Sequence, residues 1–144
     1  MKDSLIILII LIPILSFSQT LEEKIENLPI SYHSGCDTLN HRTQWGYQEG
    51  ELALDIEIES AVIKKDKISI CGILQDKQTE EPVPYGQIFT AIFQDDYCEI
   101  IKFLTSTNKN GRFEVNFQNS EDLSLIFEFV SYLTLELKIG ELNN

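Results

Sequence analysis

Imidazole, thiol and carboxylate side chains gather in one short stretch, HSGCDTLNH, which holds His33, Cys36, Asp37 and His41. Zinc and copper favour such ligands, and a structural zinc takes four of them. The spacing fits no standard zinc module, and no second cysteine pair supplies the rest. His33, Cys36 and His41 are thus metal candidates, set against a plainer alternative: a solvated loop with Cys36 buried or bridged. A hydrolase would need an activated nucleophile, a base and an oxyanion hole. The chain has no G-x-S-x-G elbow, and Cys36 neighbours His33 only in sequence. It has no P-loop or dinucleotide fingerprint either. The expectation is a protein without catalytic residues and without a cofactor.

Two further stretches invite a ligand. In TSTNKNGRFEVNF, the run Asn108-Lys109-Asn110-Gly111 has the look of an ion-binding loop. A helix-loop-helix calcium site wants carboxylates before the glycine and a glutamate six residues after it. Here those places read Ser106, Asn108, Asn110 and finally Phe117, and an alternating strand follows. Asn and Gly tolerate left-handed backbone, so Asn110-Gly111 reads as the turn of a β-hairpin. Trp45 and Tyr47, flanking Gly46, are candidate ligand-contact aromatics for a sugar or a partner. The alternative is that they tuck onto the fold.

The 144 residues carry 23 acids against 11 bases, a net charge of -12. That field repels nucleic acid and anionic lipid, and neither is expected as a partner. The opening MKDSLIILIILIPILSFSQT differs in kind from the rest. A lysine precedes an aliphatic run, and Ser16-Phe17-Ser18 then offers small residues for cleavage. This is the layout of a signal peptide over residues 1–18, cut before Gln19, with an uncleaved anchor as the alternative. The run falls short of the roughly 20 residues that span a bilayer comfortably. A periplasmic or secreted protein, with no stable membrane span after cleavage, is expected. Disulfides persist in that setting, but Cys36, Cys71 and Cys98 make an odd number. Three thiols, or one bridge and one thiol, are both open.

The elements that must position these residues follow from periodicity. LEEKIENL sets Leu21, Ile25 and Leu28 on one helical face and ends at Pro29. From Ile30 to Gly50 the chain reads as irregular. From Glu51 the period becomes two. Leu52, Leu54, Ile56 and Ile58 alternate with polar residues, and Ile68, Ile70, Gly72 and Leu74 share a face. GQIFTAIFQ is apolar on both sides, as a well-covered strand would be. Phe113, Val115 and Phe117, then Leu123, Leu125, Phe127 and Phe129, then Leu133, Leu135, Leu137 and Ile139, supply further buried faces. Short strands at this spacing predict an all-β antiparallel sandwich with a short N-terminal helix. In LTLELKI, Glu136 and Lys138 read as charges guarding an exposed edge, while ELALDIEIES reads as a surface for a basic partner or for the N-terminal segment.

The stretch 68–139 resembles the carboxypeptidase regulatory-like domain, a transthyretin-like sandwich found in D-type carboxypeptidases and at the periplasmic N-termini of TonB-dependent receptors. The matching residues are Ile70, Gly72, Leu74 and Asp76; then Thr79, Glu81, Pro82, Val83 and Pro84; then Thr107, Asn108, Gly111 and Phe113; and last Phe129, Val130, Ser131 and Tyr132. Asn108 replaces the family's usual Asp, and Ser131 its usual Gly. The division implied is a leader (1–18), an unassigned segment (19–50) and the sandwich (51–144). The resemblance implies a non-catalytic module, because no peptidase zinc ligands accompany it. With Ile70, Gly72 and Leu74 facing inward, Cys71 faces out, where a Cys36–Cys71 bridge would tie down the N-terminal segment and leave Cys98 free. The expected function is binding of an envelope or outer-membrane protein. The alternatives are a carbohydrate- or surface-binding module, or a small metal- or thiol-active protein built on His33, Cys36 and His41.

Overall fold

A computed structural model describes residues 19–33, 51–94 and 97–143. One short helix, α1 (Leu21–Glu26), is followed by β1 (Ile30–His33), β2 (Leu54–Lys64), β3 (Lys67–Asp76), β4 (Gln87–Gln94), β5 (Tyr97–Ser106), β6 (Arg112–Gln118), β7 (Leu123–Glu128) and β8 (Thr134–Leu137). A 3-10 turn over Ile139–Asn143 ends the described chain. The strands form two antiparallel sheets, ordered β1-β8-β7-β4-β5 and β2-β3-β6. The expected all-β sandwich is present.

The alternation read from the sequence is realised in β3, whose Ile68, Ile70, Gly72 and Leu74 are buried, and in β6, where Phe113, Val115 and Phe117 are. Leu125, Phe127, Leu135 and Leu137 meet them from the five-stranded sheet to form the main core. Phe113 and Phe127 pack edge to face across it, their centroids 5.4 Å apart. In β2 the alternation breaks. A bulge between Ile58 and Ser60 shifts the phase, so Ala61 is buried while Val62 and Ile63 are exposed; Leu52, ahead of the strand, is exposed as well.

The helix starts at Thr20, whose hydroxyl accepts the Glu23 N–H, and the acids Glu22 and Glu23 sit favourably in its first turn. Fully buried Ile25 docks it, with Leu21 and Leu28 beside the core. Glu22 also accepts the N–H of Ala61 at 3.0 Å, so the N-terminal segment covers part of the β2 edge. The helix was legible; the strand after it was not. Ile30–His33, expected to be irregular, pairs with β8 and joins the sheet. Consequently β8 lies inside the sheet, and Glu136, expected on an exposed edge, is buried.

The Asn110-Gly111 turn forms, but not as a hairpin, because β5 and β6 belong to different sheets. Asn108 Oδ1 accepts the N–H groups of Asn110 and Arg112. Gly111 has φ +75°, and a Cβ there would lie 2.8 Å from the Leu74 carbonyl oxygen. Buried Thr107 locks the crossing: its hydroxyl donates to the Val83 carbonyl and accepts the Gly86 N–H, both at 2.8 Å. Asp76 and Tyr132 fasten the same end of the molecule. One Asp76 oxygen accepts the N–H groups of Gln78 and Thr79, and the other accepts the Tyr132 hydroxyl at 2.6 Å. The Tyr132 hydrogen bond and the Thr79 N–H hold Asp76 below the ordinary aspartate range. The same hydrogen bond pushes Tyr132 up to about 12.

Candidate functional site

Of the residues singled out for chemistry, His33 ends β1 with its ring on the face of the five-stranded sheet turned away from the other sheet. Glu136 and Ser124 reach that face from β8 and β7, on strands whose alternate residues fill the core. His33 Nε2 lies 2.7 Å from Glu136 Oε1, and Ser124 Oγ donates to Glu136 Oε2 at 2.5 Å. The His33 ring stacks on Phe93 at 4.5 Å, and its Nδ1 is buried without a hydrogen-bond partner. Burial raises the Glu136 carboxyl, but the His33 and Ser124 hydrogen bonds outweigh it, leaving the group below its ordinary value.

This grouping contains the residue types of a hydrolytic triad in the wrong order. The serine hydroxyl bonds to the carboxylate rather than to the imidazole, so no base stands ready to take its proton. All three side chains are buried. The arrangement is a polar lock between strands. No cluster of three metal-ligating side chains occurs among the described residues. Cys36, His41, Trp45 and Tyr47 lie outside them, as do residues 1–18.

The expected Cys36–Cys71 bridge is not formed: Cys71 is a free thiol and Cys98 is disulfide-bonded. The physical reason lies in the topology. Cys71 is on β3, facing out between Ser60 and Glu114 on the three-stranded sheet. The strand leading toward Cys36 belongs instead to the five-stranded sheet, as does Cys98 on β5. Pairing of β1 with β8 thus carries the chain ahead of Cys36 along the sheet that does not hold Cys71.

Surface features remain. β5 forms one margin of the five-stranded sheet. Two bulges in its pairing with β4 leave Ile101 and Leu104 unmatched, and Ile101 and Phe103 are each about half exposed, at 51% and 49%. Phe103 packs against Phe89 on the outward face. Two clefts lie on either side of Leu123, which lines both. The first, about 300 Å³, is lined by four carboxylates, Glu121, Asp122, Glu136 and Glu141, and by Lys138. The second, about 540 Å³, opens between the sheets where β4 and β5 face the end of β6. Among the described residues, no helix is long and apolar enough to cross a membrane. Comparison with family models, with curated proteins and with solved structures gave no match to this chain.

Proposed function

We propose that this chain is an exported, non-enzymatic module of the carboxypeptidase regulatory-like, transthyretin-like kind that binds a protein partner in the cell envelope. The observation that carries this reading is the pair of exposed large apolar residues, Ile101 and Phe103, on the marginal strand β5. An unpaired strand margin must be covered, interrupted or used. The bulges interrupt β5 against in-register pairing with its own kind, yet its apolar side chains stay available as anchors for a different partner. The other margins fit the role less well. β1 is short, β2 is partly covered by α1, and β6 turns Arg112, Glu114, Asn116 and Gln118 outward. The signal-like leader and the order of the family landmarks support export and the fold subtype.

A photo-crosslinking amino acid at Phe103, tested in envelope fractions against the same group at Glu114, examines this reading. An adduct of one defined mass from Phe103 but not from Glu114 is expected. Monomer alone from both positions, or peptide or ester hydrolysis by the purified chain, would remove the proposal.

A further inference from the structure

The larger cleft is anomalous in its charge. We propose that it binds an amphipathic organic anion, a carboxylate carrying an apolar chain or ring. Its floor is the sandwich core itself: Phe117 and Leu123 are buried members, Leu104 packs against them, and Ile92 lies alongside. Its rim carries Lys67 and Lys102, and among the described residues its lining contains no carboxylate, in a chain where acids outnumber bases 23 to 11. The ion pairs among the described residues are His33–Glu136 and Arg112–Glu59, so neither lysine is engaged by a described carboxylate. A volume of about 540 Å³ falls within the roughly 300–1,000 Å³ of small-ligand clefts.

The chemistry follows from those parts. An apolar tail would displace water from the Ile92, Leu104, Phe117 and Leu123 surface, and a carboxylate would meet the ammonium groups at the mouth. Lysine supplies a point charge on a flexible stem, suited to an anion whose position varies with tail length. Thr90 adds a hydroxyl beside the lysines. The smaller cleft is an internal contrast: its four carboxylates would repel the same ligand. Ile101 lines this cleft as well as marking the β5 margin, whereas Phe103 packs against Phe89 on the outward face, so a crosslink from Phe103 and ligand binding in the cleft are read separately.

The test uses the full chain and dodecanoate, kept below its micellar concentration, with dodecan-1-ol and dodecyltrimethylammonium as neutral and cationic counterparts. Calorimetry should give saturable one-to-one binding of dodecanoate, weaker binding of the alcohol and no saturable binding of the cation. Amide chemical shifts should move at Thr90, Ile92, Lys102 and Leu104. A Lys67→Gln/Lys102→Gln variant, with an unchanged thermal midpoint, should bind dodecanoate about tenfold more weakly, as expected for losing charge-assisted contacts at an exposed rim. No dodecanoate binding, binding of the cation as tight as of the carboxylate, undiminished affinity in the double variant, or shifts centred on Glu121 to Glu141 would each overturn the proposal.

Discussion

The five-stranded sheet buries side chains on both faces, but by different chemistry. Toward the three-stranded sheet, β7 and β8 present Leu125, Phe127, Leu135 and Leu137. On the opposite face the same strands present Ser124, Ile126, Thr134 and Glu136, together with His33 from β1 and Ala91 and Cys98 from the other side of the sheet. The inner face is held by apolar area, which is non-directional and tolerates exchange at constant volume. Beside a small apolar cluster around Ala91, Cys98 and Ile126, the outer face is held by the His33–Glu136–Ser124 hydrogen bonds, whose value depends on every partner being present. One face should therefore fail in proportion to what is removed, and the other by what is left unpaired.

The largest effect is expected on the inner face. Phe127→Ala removes a fully buried ring that meets Phe113, and should cost about 3–5 kcal/mol. Phe113→Ala should cost a similar amount, and the double variant less than their sum, because the rings share one contact. Urea midpoints measure both. Midpoints unmoved by either change would mean that the inner face is not the core.

A comparable effect, about 2–4 kcal/mol, is expected from the disulfide at Cys98. Peptide mapping under non-reducing conditions should recover Cys98 in a crosslinked peptide and Cys71 as a thiol. Reduction should then lower the thermal midpoint, while Cys71→Ser should not. A Cys71-containing crosslinked peptide would contradict the assignment of the bridge to the outer face.

Third in size is the polar lock. Glu136→Ala leaves His33 and Ser124 without their common acceptor inside the protein, and should cost about 3 kcal/mol. The triple change His33→Phe, Ser124→Ala, Glu136→Leu should fall within about 1 kcal/mol of the parent, since a complete apolar set replaces a complete polar one. If the triple variant were as damaged as the single one, the contrast between the faces would fail. The pH dependence has a definite sign. The Glu136 carboxyl is held below its ordinary 4.5 in the folded chain, so its contribution is present above that value. It is lost as pH falls through the lower folded value. Acid titration of stability should therefore show a steeper loss below about pH 4.5 for the parent than for the triple variant.

These contrasts also explain what could be read in advance. Period-two burial in β3 and β6, the Thr20-capped helix and the Asn110-Gly111 turn are local properties, visible in neighbouring residues. β1 was not legible because ISYH has four residues and acquires its identity only by pairing with β8. Its absence from the reading had consequences at a distance. Glu136 looked like a solvent-facing charge because alternation reports which face a residue takes, never whether that face is covered. The His33–Glu136 contact spans 103 positions, and no spacing rule links residues so far apart. Thr107, Gly111, Asp76 and Tyr132 take structural duties at the crossing end.

Ser131 tests the turn that allots residues to the two faces, with the smallest effect. The β7–β8 register sets Phe127 opposite Leu135 and Ile126 opposite Glu136. A slip of one residue would drive Glu136 into the core and Leu135 onto the outer face. Between those strands Ser131 has φ +73°, a left-handed conformation that costs a residue with a Cβ about 1–2 kcal/mol. Glycine relieves that strain but adds freedom to the unfolded chain, which cancels part of the gain. Ser131→Gly should therefore raise stability by about 0.5–1 kcal/mol, read as a small rise in thermal midpoint. Ser131→Val, β-branched in the same conformation, should lower it. Because the side chain is exposed, neither change disturbs packing, and the difference isolates the backbone. A midpoint lowered by glycine and raised by valine would mean that an ordinary turn sets this register, and that the inner and outer faces are kept apart by packing alone.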